Sequence, residues 1–159
     1  MSESREAQLD LVRENLAWAA DRAAEFGLGV VVESLNSFEN PRYLLTNTRE
    51  TLALLDEVKR PNLQHQYDLY HMQRMEGNLI ATLREHISRI GHIQVADSPA
   101  RHEPGTGEIH YPHVLAALDE LDYPGYVGLE YNPGGSSEES FSWLPGDKRG
   151  EIAVETLKL

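Results

Sequence analysis

The chain has 159 residues, 40% of them hydrophobic, and a formal net charge of -12 at pH 7, which suits one globular domain with a buried core. Nucleic acid and anionic membrane surfaces bind cationic faces. A chain this acidic is therefore expected to bind neither. There is no cysteine, no apolar run of membrane-spanning length and no secretory segment at the N-terminus, and cytoplasm is the expected location.

The first part of the chain predicts a helix, a strand and a second helix. Apolar residues spaced by three and four predict a helix from about Ser4 to Phe26. The β-branched run from Leu28 to Glu33 predicts a short strand buried on both faces, as in a parallel sheet. After a polar loop over 34–46, Asn47 with Glu50 three residues later resembles a capping box that opens the second helix.

The same alternation continues to the end of the chain. The further predicted elements are a strand from Leu63 to Asp68, a helix after Asn78, a strand from Ile90 to Val95, a turn-rich loop over 97–108, a helix from Tyr111, a strand ending at Glu130 and a short helix with Phe141 and Trp143. Trp18, Phe26 and Trp143 are expected to pack between elements. His65 is expected at the surface, and His92 on the strand face opposite Gln94.

Strand ends recur roughly every 30 residues, the length of a βα unit. We therefore predict an α/β fold of parallel β/α repeats with about four βα units, half of an eight-stranded barrel that typically takes about 250 residues. Residues 1–144 would form this partial barrel and 145–159 a polar C-terminal tail. A small open parallel sheet is the alternative, but no Gly-rich phosphate loop supports a nucleotide-binding version of it.

Polar residues end all four predicted strands: Glu33, Asp68, Gln94 and Glu130. In a parallel barrel every strand opens its C-terminal end on the same face, so these side chains are expected to converge. Three carboxylates and an amide oxygen suit a hard divalent ion, Mg²⁺ or Mn²⁺, whereas zinc would be expected to recruit His or Cys.

Such a site predicts proton transfer between neighbouring carbons of an α-hydroxy carbonyl compound. The metal would bind both oxygens of the substrate and act as a Lewis acid on its enediolate. Glu33 and Glu130 form the expected acid-base pair, one removing a proton and the other returning one. His71 is expected to bind a substrate oxygen, and Arg101 a substrate carboxylate or hydroxyl group.

These residues lie in segments that resemble the C-terminal part of the hydroxypyruvate isomerase family. The segments are Asp68-Leu-Tyr-His71-Met-Gln73, Gly91-His-Ile-Gln94-Val-Ala-Asp97, Pro104-Gly-Thr-Gly-Glu108 and Gly128-Leu-Glu130-Tyr, within a resemblance running from about Ala7 to Trp143. That family belongs to the xylose-isomerase-like barrels, whose relatives include sugar epimerases and 2-oxotetronate isomerases.

The resemblance implies one divalent metal, usually Mg²⁺, and interconversion of hydroxypyruvate with 2-hydroxy-3-oxopropanoate. It implies Glu33, Asp68, Gln94 and Glu130 as metal ligands, the two glutamates also being the acid-base pair. The histidine that contacts substrate in the family falls on His71. Gln94 stands where the epimerases have a histidine ligand, which favours the hydroxypyruvate isomerase branch. The match of Arg101 to the epimerases' substrate arginine depends on the register of its loop.

Family members carry four further strands before the helix with which this chain opens. A four-stranded half would expose two sheet edges and an apolar face, which marginal stability does not tolerate uncovered. We therefore expect either self-association with a second copy or a missing N-terminal half. The alternatives are a 2-oxotetronate isomerase or sugar epimerase, a metal-cluster phosphodiesterase or abasic-site endonuclease disfavoured by the acidic balance, and a non-catalytic half-barrel.

Overall fold

The computed structural model describes residues 4–146. The elements, in chain order, are α1 (Arg5–Ala24), β1 (Val30–Glu33), α2 (Thr48–Val58), β2 (Leu63–Asp68), α3 (Leu69–Met75), α4 (Leu79–His86), β3 (Ile90–Val95), α5 (Tyr111–Glu120) and β4 (Val127–Leu129), with single 3-10 turns at Ile87–Arg89 and Glu139–Phe141. The predicted tail, 145–159, lies almost wholly outside the described residues, and the domain boundary stays a prediction.

The four strands form one parallel sheet in the order β1-β2-β3-β4. Burial alternates along β2, where Leu63, His65 and Tyr67 are buried while Gln64 and Gln66 are only half-buried. The helices therefore cover one face of the sheet, and we call the other the open face. The predicted parallel β/α architecture is confirmed.

Two apolar clusters lie between the sheet and its helices. The smaller joins α2 to the first two strands through Leu52, Leu55, Val58 and Leu63, with Leu16 of α1 packed against it. The larger fills the space under α3, α4 and α5, and its buried members include Tyr67, Leu83, Ile93, Tyr111 and Leu118. The helical faces of these clusters carry the three- and four-residue spacing that the sequence predicts.

Asn47 caps α2 as predicted, since its side chain accepts a hydrogen bond from the Glu50 backbone N–H at 2.9 Å. The return bond of the box is displaced by one residue, because the Glu50 carboxylate accepts from the N–H of Thr46 at 3.4 Å. The short helix α3 is absent from the sequence prediction. Seven residues are too few to display a helical period, and its start depends on the side chain of Asp68.

Several residues are more exposed or more buried than predicted. The first errors concern β1 and α1, at one edge of the sheet. β1 is an edge strand, so it is not buried on both faces, and Val31 is 40% exposed. Trp18 and Phe26 are 68% and 76% exposed, because α1 packs inward through Leu9 and Ala20 instead.

The other errors concern two histidines. His65 is fully buried among the helix-facing residues of β2, with its Nε2 2.9 Å from the hydroxyl of Ser34. His92 shares the open face with Gln94, since residues two apart on a strand point the same way. A Cβ on Gly128 would lie 2.9 Å from His92 Nε2 and 3.7 Å from Gln94 Cγ.

The open face also differs from the apolar face that we expected, because Gln64, Gln66, His92 and Gln94 lie on it. Within residues 4–146, no helix has the length and apolar character needed to cross a membrane.

Candidate metal and substrate site

The predicted site residues lie at the C-terminal ends of the parallel strands. Glu33 and Asp68 end β1 and β2, Gln94 is the penultimate residue of β3, and Glu130 follows β4 directly. The strand register pairs Asp68 with Gln94 and Gln94 with Gly128. All four side chains therefore lie at the C-terminal end of the sheet.

Asp68 is both the last residue of β2 and the N-cap of α3. Its Oδ1 accepts hydrogen bonds from the backbone N–H groups of Tyr70 (2.7 Å) and His71 (3.1 Å), which caps α3. Its Oδ2 is buried and has no hydrogen-bond partner among residues 4–146. Burial raises the pKa of this carboxyl to about 7, against the opposing effect of the two N–H donors.

Glu33 faces the same space from β1. Its Oε2 accepts a hydrogen bond from Gln66 Nε2 at 3.0 Å, while Oε1 is buried and unpartnered. Burial is the main cause that raises the pKa of Glu33 to about 7, and the nearby charges of Asp68 and Glu130 raise it further. Two adjacent carboxylates thus each keep one oxygen free.

His71 lies beside these free oxygens, with Nε2 4.0 Å from Asp68 Oδ2. Its Nδ1 accepts from the backbone N–H of Asn36 at 3.2 Å, so the ring proton of the neutral form is on Nε2. Burial, followed by the charge of Arg101, lowers the pKa of His71 to about 4, and the ring is neutral at pH 7. One potential ligand atom from each of Glu33, Asp68 and His71 falls within 4.8 Å of the other two.

The other two predicted ligands hold protein partners in this structure. Gln94 Oε1 accepts a hydrogen bond from Gln66 Nε2 at 2.5 Å. Glu130 Oε2 accepts from Arg101 Nη2 at 2.6 Å, and the glutamate side chain is 48% exposed. Gln66, which sequence reasoning missed, therefore links Glu33 to Gln94, and it could have been found from the same two-residue alternation that places Asp68.

Arg101 reaches the site from the loop after β3. Its backbone is in the left-handed region, with φ 59°, and its guanidinium carbon lies 5.4 Å from the centre of the Tyr70 ring. The Asn132 N–H donates to its carbonyl at 2.7 Å, which ties this loop to the chain after β4. The arginine predicted to bind substrate is thus held close to Glu130.

Asp97, a second residue that sequence reasoning missed, organises this loop. Its buried carboxylate accepts four backbone hydrogen bonds at 2.8–3.0 Å, from Ser98, Gly105, Gly107 and Ile109. Gly107 is required by space, because a Cβ there would lie 2.0 Å from the carbonyl oxygen of Ser98. An aspartate followed by several turn glycines is the sequence signal for such a loop.

The loop between β1 and α2 is fixed to α3 by a polar network that sequence reasoning also missed. The Glu39 carboxylate accepts from the Tyr70 hydroxyl, from Arg74 Nη1 at 2.9 Å and from Asn36 Nδ2 at 3.0 Å. Asn36 in turn contacts His71 Nδ1. The loop residues Asn36 and Glu39 lie 31 to 35 residues from their partners Tyr70, His71 and Arg74 in sequence. No local pattern reveals such contacts.

The profile of the xylose isomerase-like TIM barrel family matches residues 1–146. The chain belongs to that family. Its relatives include a 2-oxo-tetronate isomerase from Pectobacterium atrosepticum, 41% identical over 89% of this chain and 54% of its own length. The hydroxypyruvate isomerase of Escherichia coli is 44% identical over 82% of this chain and 51% of its own length.

Solved structures of the xylose isomerase-like barrels superpose on the same region. A Brucella melitensis protein described as AP endonuclease, family 2, has a TM-score of 0.86 and 39% identity, over 88% of this chain and 54% of its own. The Escherichia coli 3-keto-D-glucoside 4-epimerase has a TM-score of 0.79 and 25% identity. This chain spans about half the length of these relatives, and its four-stranded sheet is a half barrel.

The residues of this family member fit a divalent cation. Glu33 Oε1 and Asp68 Oδ2 are buried carboxylate oxygens without a partner, and leaving such atoms unpaired is costly unless a proton or a cation neutralises them. The raised pKa of both groups has the same origin. His71 fits less well as a ligand, since its Nε2 carries the ring proton and its Nδ1 lone pair is used by Asn36.

Proposed function

We propose that this chain supplies the catalytic half of a metal-dependent isomerase that interconverts hydroxypyruvate and 2-hydroxy-3-oxopropanoate, an aldose-ketose type reaction. The observation that carries the proposal is the cluster of Glu33, Asp68 and His71, whose potential ligand atoms lie within 4.8 Å of one another. Each of the two carboxylates has one buried oxygen without a hydrogen-bond partner among residues 4–146. The similarity to isomerases of hydroxypyruvate and of 2-oxo-tetronates supports the same substrate class.

Glu33, Asp68, Gln94 and Glu130 would hold the ion, Mg²⁺ in preference and Mn²⁺ as the alternative, because all four offer oxygen. When bound, the ion supplies Lewis acidity that polarises adjacent substrate oxygens. The Glu130 side chain is 48% exposed and, among residues 4–146, pairs with Arg101, so it can turn toward the ion without breaking a buried hydrogen bond.

Two glutamates carry the proton transfer in this proposal. Glu33 acts as the general base and takes the proton from the hydroxymethyl carbon. Glu130 returns a proton to the neighbouring carbon through the enediolate form of the substrate, and the hydroxyl proton moves between the two substrate oxygens. Exchange with water then resets both carboxyl groups.

His71 and Arg101 position the substrate. The neutral imidazole donates from Nε2–H to the substrate oxygen on which negative charge develops. Arg101 binds the carboxylate of the hydroxy-oxo acid with its guanidinium fork. Together they orient the substrate so that the two reacting carbons lie between Glu33 and Glu130.

A 2-oxo-tetronate is the alternative substrate, since one relative of that name matches nearly as well. Its extra carbon requires more room beyond Arg101, in the part of the pocket formed by the loop over 97–108. Side-by-side turnover of hydroxypyruvate and a 2-oxo-tetronate by the assembled barrel distinguishes the two. An abasic-site endonuclease of the metal-cluster type is disfavoured, because histidine is absent from the four strand-end residues and the chain carries a net charge of -12.

The metal site is tested by calorimetric titration of metal-free protein with Mg²⁺ and Mn²⁺. Binding of one ion per chain, weakened at least about tenfold by Asp68→Asn, supports the proposal. Asp56→Asn, at an exposed position on α2, is the control and should bind as the unchanged protein does. Absence of binding, or binding indifferent to Asp68, refutes the site and leaves a non-catalytic half barrel.

We further propose that activity requires a complementary half barrel on the open face. Large apolar side chains are exposed at both sheet edges. On α1, β1 and their connection they are Leu11, Trp18, Phe26, Leu28 and Val31, and on or next to β4 they are Tyr126 and Leu129. Edge strands and apolar flanks of this kind favour addition of further strands.

The negative charge at the strand ends determines which partner can complete the barrel. A second copy would place another Glu33, Asp68 and Glu130 at the same barrel mouth, and close carboxylates of like charge repel one another. A half with uncharged or basic strand ends avoids this repulsion. We therefore propose four further β/α units of the family type, with a homodimer as the competing outcome.

Mixing experiments test this partner. The probe is the portion of the Escherichia coli hydroxypyruvate isomerase that this chain does not match, refolded with the chain and measured by light scattering. We expect a 1:1 complex, a blue shift of Trp18 fluorescence and hydroxypyruvate turnover. Trp18→Glu should prevent assembly, while Phe38→Glu should not, because this exposed aromatic lies in the loop after β1 against the guanidinium of Arg74 rather than on a strand. A stable homodimer, or a monomer that ignores the probe, contradicts the proposal.

A further inference from the structure

Asn36 is a fully buried amide three residues after Glu33, and all of its side-chain hydrogen-bonding groups are used. Its Oδ1 accepts from the Glu39 backbone N–H at 3.0 Å. Its Nδ2 lies 3.0 Å from Glu39 Oε2 and 2.7 Å from His71 Nδ1. Its own backbone N–H points to the same His71 nitrogen at 3.2 Å.

These bonds leave one orientation for the amide. A backbone N–H is only a donor, so the atom facing Glu39 N must be the amide oxygen. The amide nitrogen therefore faces the Glu39 carboxylate and His71 Nδ1, and donates one proton to each. His71 Nδ1 accepts from two donors on one residue and cannot itself carry a proton.

The consequence appears at the other ring nitrogen. In the neutral imidazole the proton must be on Nε2, which points toward Asp68 Oδ2 at 4.0 Å. Nε2 is close enough to Glu33 and Asp68 to complete a three-ligand cluster, yet its lone pair is not available to a metal. Imidazole is the ligand by which proteins favour zinc over harder ions.

We propose that Asn36 is a positioning residue that determines the metal preference of this site, by holding His71 in the Nε2–H form and so out of the ligand set. The metal-selectivity part rests on the proposed function, whereas the control of the ring proton stands without it. Three further residues support Asn36, because their hydrogen bonds attach its loop to α3: Glu39, Tyr70 and Arg74.

Ring ¹⁵N NMR of His71 in metal-free protein at neutral pH tests the first part. We expect Nε2 to be protonated in the unchanged chain. Asn36→Asp replaces the amide donor by an acceptor, and the proton should appear on Nδ1. Asn40 lies in the same loop and makes no hydrogen bond to His71 among the described residues. Asn40→Asp is therefore the matched control and should leave the ring signals unchanged.

Titrations with Zn²⁺ and with Mg²⁺ test the second part. In Asn36→Asp the Nε2 lone pair becomes available, and the ratio of zinc to magnesium affinity should rise about tenfold or more. An unchanged tautomer and an unchanged ratio would overturn the proposal, because the backbone N–H alone would then fix the ring. If the aspartate variant does not fold, Asn36→Ala serves instead. It keeps the backbone donor at 3.2 Å but loses the side-chain donor at 2.7 Å, so the share of His71 with the proton on Nδ1 should rise.

The two proposals fail in different ways. Absence of any metal binding by the unchanged chain would refute the proposed function, and the selectivity role with it. The ring nitrogen signals would still decide whether Asn36 controls the proton of His71.

Discussion

At the scale of single residues, Asp68 and Glu33 are the carboxyl groups of residues 4–146 whose pKa values are raised most. Both carboxyl groups are driven toward the protonated form by burial, and each has one oxygen without a partner. An unpaired buried carboxylate destabilises the fold, so these residues are retained at the expense of stability. Such a cost is expected at a functional site rather than in a structural core.

This cost predicts how stability depends on pH. The pKa of Asp68 is about 7 in the fold, above the ordinary 3.8, so its contribution to the free energy of unfolding is fully present below about pH 4 and is lost as pH rises through about 7. Metal-free protein should thus be less stable at about pH 8 than at about pH 5.

Asp68→Asn should reduce this dependence and stabilise metal-free protein at about pH 8 by roughly 1–3 kcal/mol, given about 1.4 kcal/mol for each pKa unit. Asparagine keeps the cap on α3, because its oxygen can still accept from Tyr70 and His71. Urea unfolding at the two pH values measures the effect, with Asp56→Asn as the control. A variant that is less stable at both pH values would contradict the role assigned to burial.

At the scale of elements, the loops and short helices place the site, and here the sequence predicts least. The strands β2 and β3 and the cap of α2 follow from local patterns of burial and turn chemistry. Asn36, Glu39 and Tyr70 are brought together only by the fold, and α3 begins only because Asp68 caps it. The exposed aromatics of α1 and the buried His65 were misplaced for the same reason, since burial depends on which edge or face a neighbouring element covers.

The loop after β3 should depend on Asp97 more than on any other residue in it. Asp97→Asn must direct an NH₂ group at two backbone N–H donors, and we expect a loss of roughly 2–4 kcal/mol in the free energy of unfolding. Amide hydrogen exchange should quicken at Gly105 and Gly107, which donate to the carboxylate. Asp10→Asn on the exposed face of α1 is the control.

Gly107→Ala disturbs the same loop through space instead of charge. Its Cβ would lie 2.0 Å from the Ser98 carbonyl oxygen, so the loop must move and Arg101 with it. Both Gly107→Ala and Asp97→Asn should therefore weaken carboxylate binding while leaving Mg²⁺ binding by Glu33 and Asp68 within about threefold of the unchanged protein. A loss of metal binding in either variant would mean that the loop also builds the metal site.

At the scale of the whole molecule, the sequence predicts the architecture well. Strand ends at regular intervals lead directly to the parallel order β1-β2-β3-β4. It predicts poorly what covers the sheet, because exposure at an edge depends on the elements that stand next to it. The candidate ligands were predicted from position on the strands, and the same alternation could have placed Gln66 beside them. The ion pair of Arg101 with Glu130 becomes visible only in three dimensions.

Mg²⁺ should oppose the pH dependence of stability. Protons and the ion compete for the same carboxylates, so the ion should stabilise the protein more at about pH 8 than at about pH 5. At about tenfold excess over Kd the expected gain is about 1.4 kcal/mol. Thermal unfolding with and without Mg²⁺ measures it, and an equal gain at both pH values would indicate binding elsewhere.

The four strands that carry Glu33, Asp68, Gln94 and Glu130 are consecutive neighbours in the sheet. All the candidate reactive groups are therefore inherited together, on one uninterrupted stretch of chain, and none has to be contributed across the two seams of a closed barrel. Evolution or an engineer can exchange the remaining half without touching them. For the proposed isomerase, we expect that exchanging that half by recombination of gene segments changes the substrate range while the acid-base pair stays in place.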